Sequence, residues 1–209
     1  MRQRAGIPEN STVLLYAGRI SPEKNVSLLP EMMKHLASDA ADYRLLVAGA
    51  GPQAEQLRSE GEAVAAGRII QLGHLDKDLL ADYYANADVF VHPNPREPFG
   101  IAPLEAMASG VPTVAPNGGG ILSYATGENV WLAEPTGEAF AKAVREAATD
   151  AELRGRKVAA ALETARANTR EASTDRLFAA YDRMFADFRD RVDLFTQPAA
   201  EKVDYTSLI

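Results

Sequence analysis

Two glutamates, Glu97 and Glu105, stand eight positions apart in the stretch REPFGIAPLEAMASGVP, which covers residues 96–112. Pro103 fits a helix only in its first turn, so a helix is predicted to begin somewhere from Ile101 to Pro103. Glu97 then precedes the helix, whereas Glu105 lies about two residues inside it. The stretch therefore places one loop carboxylate and one helical carboxylate beside the same helix start.

The backbone at this helix start could bind a small anion. Gly100 allows a ligand to approach the main chain closely, and the amides of Gly100, Ile101 and Ala102 have no acceptor within the helix. They also lie at the positive end of the helix dipole. Two alternatives remain open: Glu105 could cap these amides itself, and Glu97 could be an ordinary exposed loop carboxylate.

A second group of charges follows an earlier apolar run. After Gly18, which permits a tight turn, Arg19 and Lys24 flank a Ser-Pro turn in GRISPEKN. An arginine fork and a lysine ammonium near a helix start suit a phosphate-bearing ligand, with two solvated loop charges as the alternative. Gly49 and Gly51 do not complete a G-x-G-x-x-G loop, and a tight turn explains them equally well.

Composition limits the chemistry. The chain has 209 residues and a formal net charge of -7, which argues against a general nucleic-acid surface. It has no cysteine, which excludes disulfides and thiolate metal sites, and its three histidines lack metal-ligand spacing. No apolar run approaches the roughly 20 residues that span a bilayer. We predict a cytoplasmic domain without a metal site.

Six short apolar runs alternate with amphipathic stretches, which predicts strands alternating with helices. Most runs are apolar nearly throughout, as expected for strands that are covered on both faces. The fold class is therefore predicted to be α/β, with a Rossmann-like parallel sheet of about six strands and helices on both faces. Ligands bind at the carboxyl ends of strands in such sheets. The predicted strands cover residues 13–18, 43–49, 68–73, 88–93, 112–116 and 129–133.

The last third of the chain shows only helical patterns. An apolar stripe with a spacing of three and four residues predicts core packing of these C-terminal helices. We predict one domain over residues 1–192 and a tail over residues 193–209. The stripe consists of Leu177, Tyr181, Met184, Phe185 and Phe188.

A family resemblance is carried by four stretches in this order: GRISPEKN, VAGAGP, LGHLDKDLLADYYANADVFVHP and EPFGIAPLEAMASGVPTVAPNGGG. They resemble the C-terminal, nucleotide-sugar-binding domain of the retaining GT-B glycosyltransferases of family GT4, the group 1 transferases. The resemblance covers about residues 13–148, and the two glutamates within P-F-G-x-x-x-L-E-A-M-A are its most specific part. It implies one half of a GT-B enzyme, a donor domain whose N-terminal acceptor domain is absent from this chain. It also implies that the last helices would ordinarily reach back to that half, so their apolar stripe is expected to be partly exposed here.

The resemblance also implies catalytic roles. Arg19 and Lys24 would bind the donor diphosphate and stabilise the charge on the leaving nucleotide. Glu97 would hold the hydroxyls of the donor sugar and stabilise an oxocarbenium-like transition state, and Glu105 would bind the ribose hydroxyls. The nucleobase would lie near Leu75.

The other substrate-binding positions that the resemblance implies are mostly backbone groups, which would meet the sugar and the phosphates. They are Gly18, Gly100, Ile101, Ala102 and Leu104. Family members act as hexosyltransferases that retain the anomeric configuration and use no metal or other cofactor. The donor would be a UDP-, GDP- or ADP-sugar.

Two other functions stay open at this point: a non-catalytic nucleotide-sugar-binding module and a GT-B-like sugar-nucleotide 2-epimerase. The chain also departs from the family after residues 118–120, where GGILSYATGEN lacks a glutamate that the family commonly has. The loop on the sugar side is therefore expected to differ. Whether the complete enzyme sits at the inner membrane face stays open, because membrane association in this family commonly involves the N-terminal half.

Overall fold

The structure, a computed structural model, describes residues 1–191, so the predicted tail over residues 193–209 lies outside the described residues. The chain separates into two compact units, the first covering Met1–Arg166 and the second beginning at Ala167. The first unit contains the sheet and the helices that cover it. The described part of the second unit consists mainly of one long helix.

One sheet of six strands forms the centre of the first unit, and every pair of neighbouring strands is parallel. The fold class and the six predicted strands are confirmed, with bounds that differ by one or two residues. In chain order the strands are β1 (Thr12–Ala17), β2 (Tyr43–Ala48), β3 (Ile69–Gly73), β4 (Val89–Val91), β5 (Thr113–Pro116) and β6 (Trp131–Ala133).

The helices of the first unit occupy both faces of this sheet. They are α1 (Arg2–Ala5), α2 (Leu28–Leu36), α3 (Ala54–Ala65), α4 (Lys77–Asn86), α5 (Ile101–Ala108), α6 (Gly137–Thr149) and α7 (Ala151–Ala167). The helix of the second unit is α8 (Arg170–Asp190). Leu14 and Tyr16 of β1 pack in the cluster that contains α2, α3 and α6. Val13 and Leu15 pack on the other face, in the cluster that contains residues of α4 and α5. Successive strand side chains point to opposite faces, and both sets are apolar because both faces are covered.

The order of the strands, β3-β2-β1-β4-β5-β6, is that of Rossmann-type sheets. After β1 the chain adds strands on one side, and after β3 it crosses back to place β4 on the other side. The loops that follow β1 and β4 therefore leave the same edge of the sheet as neighbours. This is the position at which open α/β sheets bind ligands.

A close backbone contact holds the loop after β1 in place. The amide of Gly18 donates to the carbonyl of Ala48 at 2.9 Å, and the amide of Ile20 donates to the carbonyl of Ala50 at 3.0 Å. A Cβ atom on Gly49 would lie 1.9 Å from the carbonyl oxygen of Gly18, and φ at Gly49 is +153°. The glycines after β2 therefore allow two loops to pack main chain against main chain.

The apolar stripe of α8 is exposed. The pattern predicted that it packs in a core, which is wrong because the structure buries none of the residues of this helix, whereas the exposure implied by the resemblance agrees with the structure. The exposed fraction is 53% for Leu177, 64% for Met184 and 67% for Phe185. An amphipathic pattern indicates that a helix has an apolar face, but it does not place a partner surface in the same unit.

Replacing Gly49 by alanine is expected to lower the free energy of unfolding by about 2–4 kcal/mol, because backbone atoms must move to admit the Cβ atom. The matched control is Gly155→Ala, at a helical position where a Cβ atom meets nothing within 4 Å. This control should stabilise the chain by about 0.5–1 kcal/mol, since alanine favours a helix over glycine. Urea unfolding measures both values. Equal stabilities for Gly49→Ala and the wild type would contradict the proposed packing role.

Candidate functional site

The loop after β1 is shaped by two side-chain hydrogen bonds. The hydroxyl of Tyr16 donates to the carbonyl of Arg19 at 2.8 Å. A short 3₁₀ turn over Pro22–Lys24 follows, and Asn25 then adopts a left-handed conformation with φ of 53°. The side-chain amide of Asn25 donates to the carbonyl of Pro93 at 2.9 Å, in the loop after β4. The two loops are thereby tied together beside Lys24.

The glycine-rich turn after β5 supports the loop after β4. The amide of Gly120 donates to the carbonyl of Glu97 at 2.7 Å, and a Cβ atom on Gly120 would lie 1.8 Å from the carbonyl oxygen of Pro98. The hydroxyl of Tyr124 donates to the carbonyl of Gly100 at 2.5 Å. This turn therefore packs against the loop after β4 and supports it.

Glu97 and Lys24 meet although they are far apart in the sequence. The Nζ atom of Lys24 donates to Oε2 of Glu97 at 2.7 Å, and the side-chain amide of Asn94 donates to the same oxygen at 3.0 Å. The side chain of Glu97 is 14% exposed, so the alternative of an ordinary exposed carboxylate is wrong.

The environment keeps Glu97 ionised. Partial burial raises the pKa of Glu97, but the hydrogen bonds from Lys24 and Asn94 and the charge of Lys24 outweigh it and hold that pKa below its ordinary value. Two neighbouring phenols, those of Tyr16 and Tyr124, have a raised pKa because of burial and the negative charge of Glu97, and they stay neutral. The site therefore presents a negative carboxylate beside a positive ammonium.

His92 also belongs to this cluster, although its sequence position gave no metal or catalytic signal. It is 5% exposed, and its Nε2 atom lies 3.8 Å from Oε2 of Glu97. Burial, the largest cause, lowers the pKa of His92 to about 4, while Glu97 raises it and Lys24 lowers it by smaller amounts. The imidazole is therefore neutral at physiological pH.

Glu105 has a different set of contacts. Its Oε2 atom accepts a hydrogen bond from the hydroxyl of Tyr84 at 3.1 Å, and the same hydroxyl lies 3.3 Å from the carbonyl oxygen of Ala102. The donor to the Glu105 side chain is thus a phenol and not a main-chain amide at the start of α5, so Glu105 is not the capping carboxylate of the first alternative. Burial first, and then the charge and hydrogen bond of Glu105, raise the pKa of Tyr84 and keep it a donor.

Two adjoining cavities connect the two carboxylates. The first has a volume of about 550 Å³ and reaches Glu105, Tyr84 and Leu75. The second has a volume of about 350 Å³ and reaches Glu97, Lys24 and His92. The residues that line both cavities are Ala17, Gly18, Arg19, Ile101 and Ala102.

The structure thus brings nine of the ten predicted site residues to these two cavities, with Gly100 in the second one. Leu104 lines neither cavity. It packs with the cluster of Met107, because residues three apart share a helix face. Sequence reasoning missed His92, Asn94, Tyr84 and Tyr124. The first two follow β4 directly, at the carboxyl end of a strand, which was the one signal that could have drawn attention to them.

A family model described as "Glycosyl transferases group 1" matches residues 1–164. The chain belongs to this family. The predicted membership of the group 1 glycosyltransferases is therefore confirmed.

A curated relative, the GDP-mannose-dependent alpha-(1-6)-phosphatidylinositol dimannoside mannosyltransferase of Mycobacterium tuberculosis, is 33% identical over 161 residues. That match covers 76% of this chain and 41% of the relative. The chain thus spans less than half the length of this relative.

Two solved structures share the fold of this group 1 domain. Anabaena HepE, in complex with UDP and glucose, superposes with a TM-score of 0.75 at 22% identity, over 86% of this chain and 50% of HepE. The C-terminal domain of a group 1 family glycosyl transferase, LpcC of Francisella tularensis, gives 0.70 at 22% identity, over 79% of this chain and 89% of that domain. Within residues 1–191, no helix has the length and apolar character needed to cross a membrane.

Replacing Lys24 by methionine is expected to raise the pKa of Glu97, because burial then acts without the ammonium. The pKa of Glu97 is lower in the folded protein than in the unfolded chain. Its ionisation therefore stabilises the folded protein fully when the pH is above the pKa of the unfolded chain. This stabilisation is lost as the pH falls through the pKa of the folded protein. The variant should therefore lose about 1–2 kcal/mol of stability at pH 7, and the difference should shrink below about pH 4.

Side-chain ¹³C NMR of Glu97 and urea unfolding across pH measure these two effects. The matched control is Arg58→Met, which removes the ion pair of Arg58 with Glu55, whose side chains are 61% and 81% exposed. The loss of such an exposed pair should change stability by less than about 0.5 kcal/mol. An unchanged pKa of Glu97 in the Lys24 variant would contradict the assignment of the ion pair.

Proposed function

We propose that this chain is the donor-binding domain of a glycosyltransferase and holds a nucleoside-diphosphate sugar across the two cavities. The observation that carries the proposal is the shared wall between them. Arg19 and the N-terminus of α5 lie between one cavity that ends at Glu105 and another that ends at Glu97. A ligand with a negatively charged centre and two hydroxyl-bearing ends fits this arrangement.

Each part of the ligand has a suitable partner. The larger cavity offers the Glu105 carboxylate to the vicinal hydroxyls of a ribose and the apolar side chain of Leu75 to a base. The amides of Ile101 and Ala102 and the guanidinium of Arg19 would bind the diphosphate. The smaller cavity offers the ionised Glu97 to the hydroxyls of the sugar. The structure of HepE contains UDP, and the mycobacterial mannosyltransferase depends on GDP-mannose, which supports a nucleotide of this class.

The proposed reaction is metal-independent glycosyl transfer with retention of configuration. As the bond between the sugar and the diphosphate breaks, negative charge grows on the leaving phosphate, and Arg19 with Lys24 would stabilise it in place of a metal ion. Positive charge grows on the sugar, and the carboxylate of Glu97 would stabilise it. Such stabilisation is strongest in a site where the charges are fixed in advance.

The acceptor would be bound by a further half of the enzyme. The chain covers 41% of the mannosyltransferase and 50% of HepE, which supports the proposal that it represents the donor half. We expect this chain alone to bind its donor but to transfer the sugar poorly or not at all.

The first test is calorimetry of this chain with UDP, GDP, ADP and their sugars. At least one nucleoside diphosphate should bind. Glu105→Gln should raise its dissociation constant about tenfold, because one ionic hydrogen bond is worth about 1–2 kcal/mol. Glu97→Gln should leave the dissociation constant of the nucleoside diphosphate within about threefold of the wild-type value. It should remove the additional affinity that the sugar of the nucleotide sugar provides. Glu55→Gln, at a side chain that is 81% exposed, is the matched control and should change neither affinity. A folded chain that binds none of these ligands would refute the proposal.

The second test concerns catalysis and uses an enzyme that contains both halves. Glu97→Ala should lower kcat by about 10²–10⁴, since the variant loses charge stabilisation that matters in the transition state, while the dissociation constant of the nucleotide changes little. Steady-state kinetics and calorimetry on the same preparation measure the two quantities. Full activity of the variant would show that Glu97 does not take part in the reaction.

A further inference from the structure

The Glu97 cluster contains a polar atom without a partner. Among the described residues, four buried side-chain nitrogen or oxygen atoms lack a hydrogen bond: Ser21 Oγ, Gln53 Oε1, His92 Nε2 and Trp131 Nε1. Of these residues, His92 is the one that lines either of the two cavities of the site. Because buried polar atoms are nearly always paired, its free Nε2 atom needs an explanation.

The surroundings of this atom suggest what it could bind. Nε2 lies 3.8 Å from Oε2 of Glu97, which is about 0.8 Å longer than a hydrogen bond. The same oxygen already accepts from Lys24 at 2.7 Å and from Asn94 at 3.0 Å. In this state Glu97 has two donors and does not require a third.

Binding of a diphosphate would change the set of donors to Glu97, and this part of the inference rests on the proposed function. Lys24 carries its ammonium on a side chain that is 31% exposed and lines the same cavity, and the four-carbon stem of a lysine can adopt other rotamers. A diphosphate has more charge than a carboxylate and would draw the ammonium away from Oε2. Glu97, which is 14% exposed, would then keep only Asn94 as a donor. A buried carboxylate that loses its ammonium favours the protonated form, which could not stabilise positive charge on a sugar.

We propose that His92 is a reserve hydrogen-bond donor, whose Nε2–H group takes over Oε2 of Glu97 when a diphosphate draws Lys24 away. His92 is then a positioning residue, because it acts through Glu97 and does not touch the reacting atoms. A rotation of the Glu97 side chain by less than 1 Å at the carboxylate closes the gap to a normal hydrogen-bond distance of about 3.0 Å.

The protonation state of the groups around the ring agrees with this role. Burial lowers the pKa of His92 to about 4, so the ring is neutral and carries one N–H group that can sit on Nε2. The charged groups that act on it are Glu97 and Lys24. The phenols of Tyr16 and Tyr124 also face Glu97 and have a raised pKa because of burial, so neither competes as an anion.

The direct test is NMR of this chain with ¹⁵N-labelled histidine, recorded free, with UDP and with inorganic pyrophosphate. Addition of the anion that calorimetry shows to bind should place the proton of His92 on Nε2 and slow its exchange with water. Lys24→Met should produce the same signal without any ligand, because it removes the competing donor. UDP that binds while the His92 signals stay unchanged would overturn this inference alone. Failure of UDP, GDP and ADP to bind would overturn the proposed function and this inference together.

A pair of variants tests the donor itself. In the presence of saturating nucleotide, His92→Leu should raise the pKa of Glu97 by about one unit relative to the wild type. His92→Gln, whose amide can donate a hydrogen bond, should return that pKa to the wild-type value. Without nucleotide, both variants should leave that pKa within about 0.3 units, since Lys24 still holds the carboxylate. A rise of equal size in the free chain would show a merely structural role. The wild-type NMR experiment remains decisive if either variant fails to fold.

Discussion

The sheet brings together charges that the chain keeps far apart. Strands β1 and β4 are neighbours, and each is followed by a loop at the same edge of the sheet. Lys24 and Glu97 lie in these two loops, 73 residues apart in sequence, and reach a distance of 2.7 Å. If β4 paired elsewhere, the carboxylate and the ammonium would have no common cavity. The reversal of strand order therefore creates the candidate site, and side-chain chemistry only completes it.

Around these cavities, the molecule places two like charges in different surroundings. Glu97 is mostly buried and held by Lys24 and Asn94, whereas Glu105 is exposed and contacts one neutral phenol. The same residue type therefore meets a mostly buried, positively charged environment at one end and an exposed one with a neutral donor at the other. Such a difference suits two tasks, one that needs a fixed charge and one that needs hydrogen-bond acceptors.

Much of this could be predicted from the sequence, for reasons of periodicity. Apolar runs that show mostly no alternation identified six parallel strands, of which β3 at the edge of the sheet is half-buried, and Pro103 located the start of α5 within two residues. The contacts around the two cavities were harder to predict, because His92 and Tyr84 have residue types that also occur in cores. Their role became apparent only from the residues that the fold places beside them. The stripe of α8 was misjudged for a related reason, since an apolar pattern carries no information about where its partner lies.

Close backbone contacts between the loops restrict how this site can change during evolution. Gly49 touches the main chain of Gly18, and Gly120 touches that of Pro98, with no room for a Cβ atom in either place. Insertions or deletions in one loop would displace its neighbour and the charges that it carries. A change of ligand is therefore less disruptive when it exchanges side chains that line the cavities, such as Leu75 or Phe99, than when it alters the length of a loop.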